Sequence, residues 1–195
     1  MTNSKIQPDI IIYGGPGSGK STQAELLTKK LHASHINTGK LLRNLIAKKS
    51  LGWQIAKKYV DKGKLVPESV TSKLVYDFIA RVPKKKRVVF DGYPRRLSQV
   101  RLLKKIQQKF HRQIIMVFIS LPATVAKQRI IRRAKLENRH DDINPKIVAE
   151  RIRVFHESYL NVLRHYKQTK TLITVNGNQT MEKVAQDIEQ AVKVI

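Results

Sequence analysis

Short unbroken apolar runs alternate along this chain with longer segments in which apolar residues recur every three or four positions. Ile10-Ile11-Ile12-Tyr13, Val88-Val89-Phe90 and Ile114-Ile115-Met116-Val117-Phe118-Ile119 are continuous and rich in β-branched side chains. Such runs suit strands that are covered on both faces. They place strands near 9–14, 34–37, 87–91, 114–120 and 171–175. Between them, Val148, Ile152, Phe155, Tyr159 and Val162 form one stripe at helical spacing. Val184, Ile188 and Val192 form another near the C-terminus. Pro67, Pro94, Pro122 and Pro145 each stand where a helix could begin, because proline is accommodated in a first turn. The alternation predicts an α/β fold, a parallel sheet of about five strands flanked by helices.

Two regions interrupt the alternation. Residues 38–80 carry several short helical patterns with no strand between them. Residues 134–143 are polar and lie between two helical patterns. The expected organisation is one domain: a core of 1–37, 81–133 and 144–195, a helical insertion over 38–80 and a short lid over 134–143. Both additions would overhang the carboxyl edge of the sheet, where open α/β sheets bind ligands.

Composition narrows the function. The 195 residues include no cysteine, which excludes disulfides, thiol chemistry and a cysteine-based zinc site. No apolar stretch approaches membrane-spanning length, and the first strand begins without a secretory h-region, so the cytoplasm is the expected compartment. Thirty-nine Lys and Arg stand against 14 Asp and Glu, a formal charge of +25. That excess suits an enzyme of polyanions, and it also permits nonspecific binding of nucleic acid through its phosphates. Lys84-Lys85-Lys86-Arg87 is the densest run and reads as an exposed turn before a strand.

The chemistry is concentrated at Gly14-Gly15-Pro16-Gly17-Ser18-Gly19-Lys20-Ser21-Thr22, between an apolar run and a helical pattern. A glycine-rich loop in that strand–loop–helix setting turns its N–H groups toward phosphate oxygens. The helix N-terminus adds partial positive charge. Lys20 brings a point charge for the terminal phosphates, and Ser21 an oxygen beside Mg²⁺. Asp91, at the end of Val88-Val89-Phe90, occupies the place where phosphate-loop enzymes keep an Mg²⁺-associated aspartate. Transfer of a phosphoryl group spreads negative charge, which arginine neutralises with a planar fork that stays ionised. Arg43, Arg95, Arg133, Arg139 and Arg151 are the candidates, with Asp141 and Asp142 able to orient the arginines of the lid.

Taken together, the segments Gly14–Gln23, His35–Arg43, Asp61–Val66, Asp91–Gln99, Arg129–Asp142 and the helix around Arg151 resemble the adenylate kinases of the short-lid type, in the family's order across nearly the whole chain. The resemblance implies transfer of the γ-phosphate of ATP to AMP with Mg²⁺, giving two ADP. It implies an ATP site built from Gly15, Pro16, Gly17, Ser18, Gly19, Lys20, Ser21 and Thr22, with Arg129 and Gly177 at the adenine and Arg133 at the phosphates. For AMP it implies Arg43 and Arg95 on the phosphate. Thr38, Leu42, Lys64, Leu65, Val66, Gly92 and Gln99 would surround the nucleotide. Arg139 and Arg151 complete the cage around the moving group. The insertion 38–80 would then be the segment that binds the monophosphate. Short-lid members are usually monomeric and lack a zinc-binding lid.

Base choice rests on Thr38 and Gln99. The related pyrimidine-nucleotide kinases usually carry Ala and Asn there, so this pair favours AMP over UMP or CMP. A basic ATPase associated with nucleic acid on the same scaffold is the alternative suggested by charge. Three departures from the family stand out. Ser21 replaces the usual glycine after the loop lysine, Lys40 replaces the aspartate of Thr-Gly-Asp, and the charge excess is not a family trait.

Overall fold

The structure, a computed structural model, describes residues 7–137 and 144–193. Five strands form one parallel sheet: β1 (Asp9–Tyr13), β2 (Ser34–Asn37), β3 (Val88–Asp91), β4 (Ile114–Ser120) and β5 (Leu172–Asn176), ordered β2-β3-β1-β4-β5. The register sets Ile11 beside Phe90 and Met116, so one pleat of three strands points the same way.

Alternation along the strands divides the core in two. Ile11, Tyr13, Val88, Phe90, Ile114 and Met116 face one layer of helices: α4 (Glu68–Ala80), α5 (Leu97–Phe110) and α7 (Pro145–Gln168). Ile10, Ile12, Val89, Ile115, Val117 and Ile119 face α1 (Lys20–Lys30) and α8 (Met181–Lys193). Both faces are therefore buried, which explains the unbroken apolar runs. Ile10, Ile11 and Ile12 have no exposed surface, and burial of each side chain contributes about 2 kcal/mol. The C-terminal part of the stripe anticipated on α7 packs as read, with Phe155 and Tyr159 against the first layer and Val162 fully buried, whereas Val148 and Ile152 stay half-buried outside the core.

Between β2 and β3 the chain forms α2 (Thr38–Ala47), α3 (Trp53–Val60) and α4 with no intervening strand. Leu42, Leu45, Ala56 and Val66 give this region a small core of its own. Helix α6 (Ala123–Glu137) extends four residues into the polar segment read as a lid, and 138–143 lie outside the described residues. Pro67 caps α4, and Pro122 and Pro145 stand at the starts of α6 and α7. Pro94 differs: its peptide bond with Tyr93 is cis, and α5 begins only at Leu97. Among the described residues no helix is long and apolar enough to cross a membrane.

The amino edge of the sheet is fastened by a buried ion pair. Arg112 Nη1 lies 3.0 Å from Asp9 Oδ1, which also accepts from the Val88 N–H at 2.7 Å. The same guanidinium donates to the carbonyls of Pro83 (3.1 Å) and Lys86 (3.2 Å), holding the α4–β3 turn.

Candidate active site

The loop after β1 has the shape a phosphate cradle needs. Gly17 and Gly19 adopt φ of +80° and +82°, a left-handed conformation costly for other residues. A Cβ at Gly17 would also meet the Ala126 carbonyl oxygen at 2.5 Å. The Ser18 N–H closes the turn on Gly15 O at 3.2 Å, and Lys20 Nζ reaches the same carbonyl at 3.4 Å. Helix α1 has no side-chain cap and no acid in its first turn, so its positive end faces the loop. Ser18 Oγ is buried with no protein partner. Ser21 is half-buried and faces the cleft, whereas Thr22 is exposed.

Opposite the loop, the end of β3 is tied to the start of α2. Asn37 does both halves of that work. Its Oδ1 accepts from the Lys40 N–H at 2.8 Å, capping α2, and its Nδ2 donates to Asp91 Oδ2 at 2.5 Å. The Thr38 hydroxyl donates to Gly92 O at 2.9 Å. Gly92 has φ +81°, and a Cβ there would lie 2.7 Å from Thr38 Oγ1, so the tie requires glycine. Asp91 is buried and lines the cleft that Lys20 and Ser21 of the loop also line. Sequence reasoning passed over Asn37. The available signal was an Asn directly before a helical pattern, the ordinary mark of an N-cap.

Arg95 follows from the same turn. Its Nε donates to Gly92 O at 2.9 Å, and its backbone N–H donates to Gln99 Oε1 at 2.6 Å. The Gln99 Nε2 donates to Thr71 Oγ1 at 3.3 Å, and Gln99 is buried. Gln99 therefore anchors the arginine turn from the first turn of α5, using one of its two acceptor sites and one of its two donors. The Arg95 side chain stays open to the cleft while protein atoms crowd its guanidinium. That desolvation, and Arg151 close by, hold its pKa below the ordinary arginine value.

These pieces meet in one open cleft of about 1300 Å³ at the carboxyl edge of the sheet. Lys20, Ser21 and Asp91 lie on its core side, and Arg43 and Leu42 come from α2. Lys64, Leu65 and Val66 come from the segment after α3, and Arg151 from α7. A neighbouring lobe is lined by Gly14, Pro16, Lys20, Arg95, Arg151 and Phe155. Phe155 stacks on Tyr159 at 4.7 Å between centroids and touches Tyr13, whose hydroxyl is kept protonated by burial. These rings form an apolar floor beneath the cations, which sequence reasoning had assigned only to the core. At the other end, Arg129 on α6 donates to Gln179 O at 3.2 Å, two residues beyond Gly177, whose N–H bonds Ser120 O at 2.7 Å. Arg133 falls on α6 as well. Arg139, Asp141 and Asp142 lie outside the described residues.

A sequence-family model described as adenylate kinase matches residues 12–171. The chain belongs to the adenylate kinase family. Curated adenylate kinases of Azobacteroides pseudotrichonymphae and Bacteroides thetaiotaomicron are 32% and 33% identical over 185 residues, each alignment covering 94% of this chain. They cover 96% and 97% of those proteins. One from Cyanothece is 32% identical over 94% of both chains. The adenylate kinase match runs from Ile12 within β1 to Thr171, just before β5, and so takes in the loop, the tie at β3 and the arginine-lined cleft.

An Mg²⁺ ion fits the residues present. Asp91 and Ser21 offer hard oxygens from two elements into one cleft, and Mg²⁺ binds through one or two protein oxygens with water and phosphate completing its shell. Among the described residues no group of three or more His, Cys, Asp or Glu competes for a metal.

Proposed function

We propose that this member of the family transfers the γ-phosphoryl group of ATP to AMP, giving two ADP. One observation carries the reading. The loop lysine, Lys20, lines a single cleft together with Arg43, Arg95, Gln99 and Arg151. A cradle for one nucleotide beside cations for a second is what direct transfer between two nucleotides requires.

ATP lies with its phosphates in the loop 14–22, Lys20 on the β- and γ-phosphates and Arg129 with Gly177 beside its base. AMP enters from the side of α2, its phosphate on Arg43 and Arg95 and its base near Thr38, Leu65, Val66 and Gln99. Leu42, Lys64 and Gly92 border that pocket. Arg151, joined by Arg133 and Arg139, neutralises the charge spread over the migrating group. No general base is needed, because the attacking phosphate oxygen is already anionic. Catalysis is alignment, neutralisation and exclusion of water. Asp91 and Ser21 would hold Mg²⁺, which would supply positive charge beside the ATP phosphates. The insertion 38–80 closes over AMP and the segment 134–143 over ATP. The protein acts as a monomer in the cytoplasm, where ATP, AMP and Mg²⁺ are available.

The test is an acceptor panel: ADP release from Mg²⁺–ATP with AMP, CMP, UMP or GMP. AMP should exceed the others by at least roughly tenfold in kcat/KM, about 1.4 kcal/mol of discrimination. A preference for CMP or UMP would transfer the protein to the pyrimidine branch. ATP turnover that ignores AMP would end the proposal.

A further inference from the structure

Between Phe78 and Leu136 the chain carries 17 Lys and Arg against one acid, Asp91, which is buried in the cleft. Not all of that charge serves the nucleotides. Helix α5 runs from the cleft to the amino edge of the sheet and contains no acid at all. Val100, Leu103 and Ile106 bury one side of it, leaving Arg101, Lys105 and Lys109 exposed at intervals of four residues. They form one row rising about 6 Å per step. The row ends at the α4–β3 turn, where Lys84, Lys85 and Lys86 are exposed.

That turn is not a loose loop. Arg112, itself paired with Asp9, donates to the carbonyls of Pro83 and Lys86 beneath it. The three lysines project from a braced support. Lys109 is braced as well, with its ammonium over the Tyr76 ring at 5.0 Å and bonded to the Tyr76 hydroxyl. The one acid in the second half of α4, Asp77, already pairs with Lys73. On the other flank, α7 carries no acid after Glu157, and Lys104 lies close enough to His165 to help hold its pKa down.

We propose that this braced cationic row, on α5 and the α4–β3 turn, is a second binding surface, for the phosphate backbone of nucleic acid. Evenly spaced, unneutralised cations on a rigid support match a repeating polyanion, and release of its counterions drives binding without any sequence code. A lipid bilayer is a poorer fit. Of the large apolar side chains exposed among the described residues, only Leu97, at the cleft end of α5, lies on this row, and one leucine gives little to insert beneath the headgroups. The surface leads away from the catalytic cleft to the opposite edge of the sheet and uses none of the cleft's lining residues, so the two can be occupied together.

The experiment uses the full chain and fluorescein-labelled 20-nucleotide RNA and DNA, single-stranded and duplex, followed by anisotropy across a salt series. A Lys84→Gln/Lys85→Gln/Arg101→Gln/Lys105→Gln variant removes four charges from the row. A Lys29→Gln/Lys30→Gln/Lys48→Gln/Lys193→Gln variant removes four elsewhere. The row variant should lose roughly tenfold or more in affinity near 0.1 M salt, and its salt slope on single strands should fall by about 3. The control variant should change little, and both should keep wild-type turnover of ATP and AMP. Binding should persist when two adenosines joined by a pentaphosphate fill the cleft. Equal losses in the two variants, displacement of RNA by that mimic, or binding of phosphatidylserine vesicles or polyglutamate in preference to nucleic acid would each overturn the proposal.

Discussion

Asn37 is the smallest change with two separable consequences. Asn37→Ala removes the N-cap of α2, a loss of about 1 kcal/mol. It also removes the amide that donates to the buried Asp91 carboxyl at 2.5 Å, a bond to a charged group contributing about 1.5–3 kcal/mol. The sum is about 3 kcal/mol, or a fall of about 6–12 °C in Tm for a chain of this size. Asn37→Ser keeps a hydroxyl that can accept from the Lys40 N–H but cannot reach Asp91. It should therefore lose about 1 kcal/mol less than the alanine variant. Thermal unfolding by circular dichroism measures both. Kinetics separate them from general damage. If the amide orients Asp91 toward the metal, both variants should need several-fold more Mg²⁺ for half-maximal rate while the AMP KM stays nearly constant. An Asn37→Ser protein as stable as wild type, with the same Mg²⁺ dependence, would refute the reasoning.

The other predictions concern charge in the cleft. Arg95→Ala should cost about 3 kcal/mol in kcat/KM for AMP, the loss seen when one donor to a developing charge is deleted, with a far smaller effect on the KM for ATP. Unchanged AMP kinetics would show the acceptor site to lie elsewhere. His35 should make stability depend on pH. Burial, aided by Lys40 and opposed by Asp91 and Glu25, holds its pKa below the usual 6.5, and its Nε2 is buried with no partner. The unfolded chain therefore binds the proton first as pH falls through 6.5, so stability is full above that point and declines below it. The urea midpoint should drop less between pH 7.5 and 5.5 in His35→Gln than in wild type, and parallel declines would exclude His35. A two-substrate mimic should raise Tm by several degrees, because it binds only the folded state and its phosphates neutralise the cations gathered in the cleft. The rise should shrink with added salt, and an absent shift would count against a two-nucleotide cleft.

Most of the architecture was legible because both faces of this sheet are covered. A strand buried on two sides has to be apolar throughout, so Ile10–Tyr13 and Ile114–Ile119 announce themselves. The glycine loop was legible for a different reason: positive φ at Gly17 and Gly19 restricts the residue type itself. What stayed hidden depends on contacts between distant segments. Nothing local marks Gln99 as a partner of Thr71, 28 positions away. The same holds for Asn37, whose second partner is 54 residues distant. Pro94 misled as a helix start because a proline near a helix also serves the turn before it, and here Arg95 and Arg96 stand between it and the first helical residue, Leu97.

The direction of the strands explains why one small protein can present two separate cationic surfaces. In a parallel sheet every strand ends on the same edge. The segments that follow β1, β2 and β3 therefore deliver Lys20, Lys40 and Arg95 to one side, where all three line the cleft. Cations crowded there repel one another until a polyphosphate enters; burial, with Arg151 adding to it, holds the Arg95 pKa below its ordinary value. The connections into the strands gather on the opposite edge, and the α4–β3 turn puts Lys84, Lys85 and Lys86 there. Those lysines diverge into solvent, where their repulsion is screened within about 10 Å at ordinary salt. The convergent set suits a small, highly charged ligand that must be enclosed. The divergent row suits an extended one that only needs to be followed. The fold thus sorts a single excess of positive charge into two chemistries, according to which edge of the sheet each loop serves.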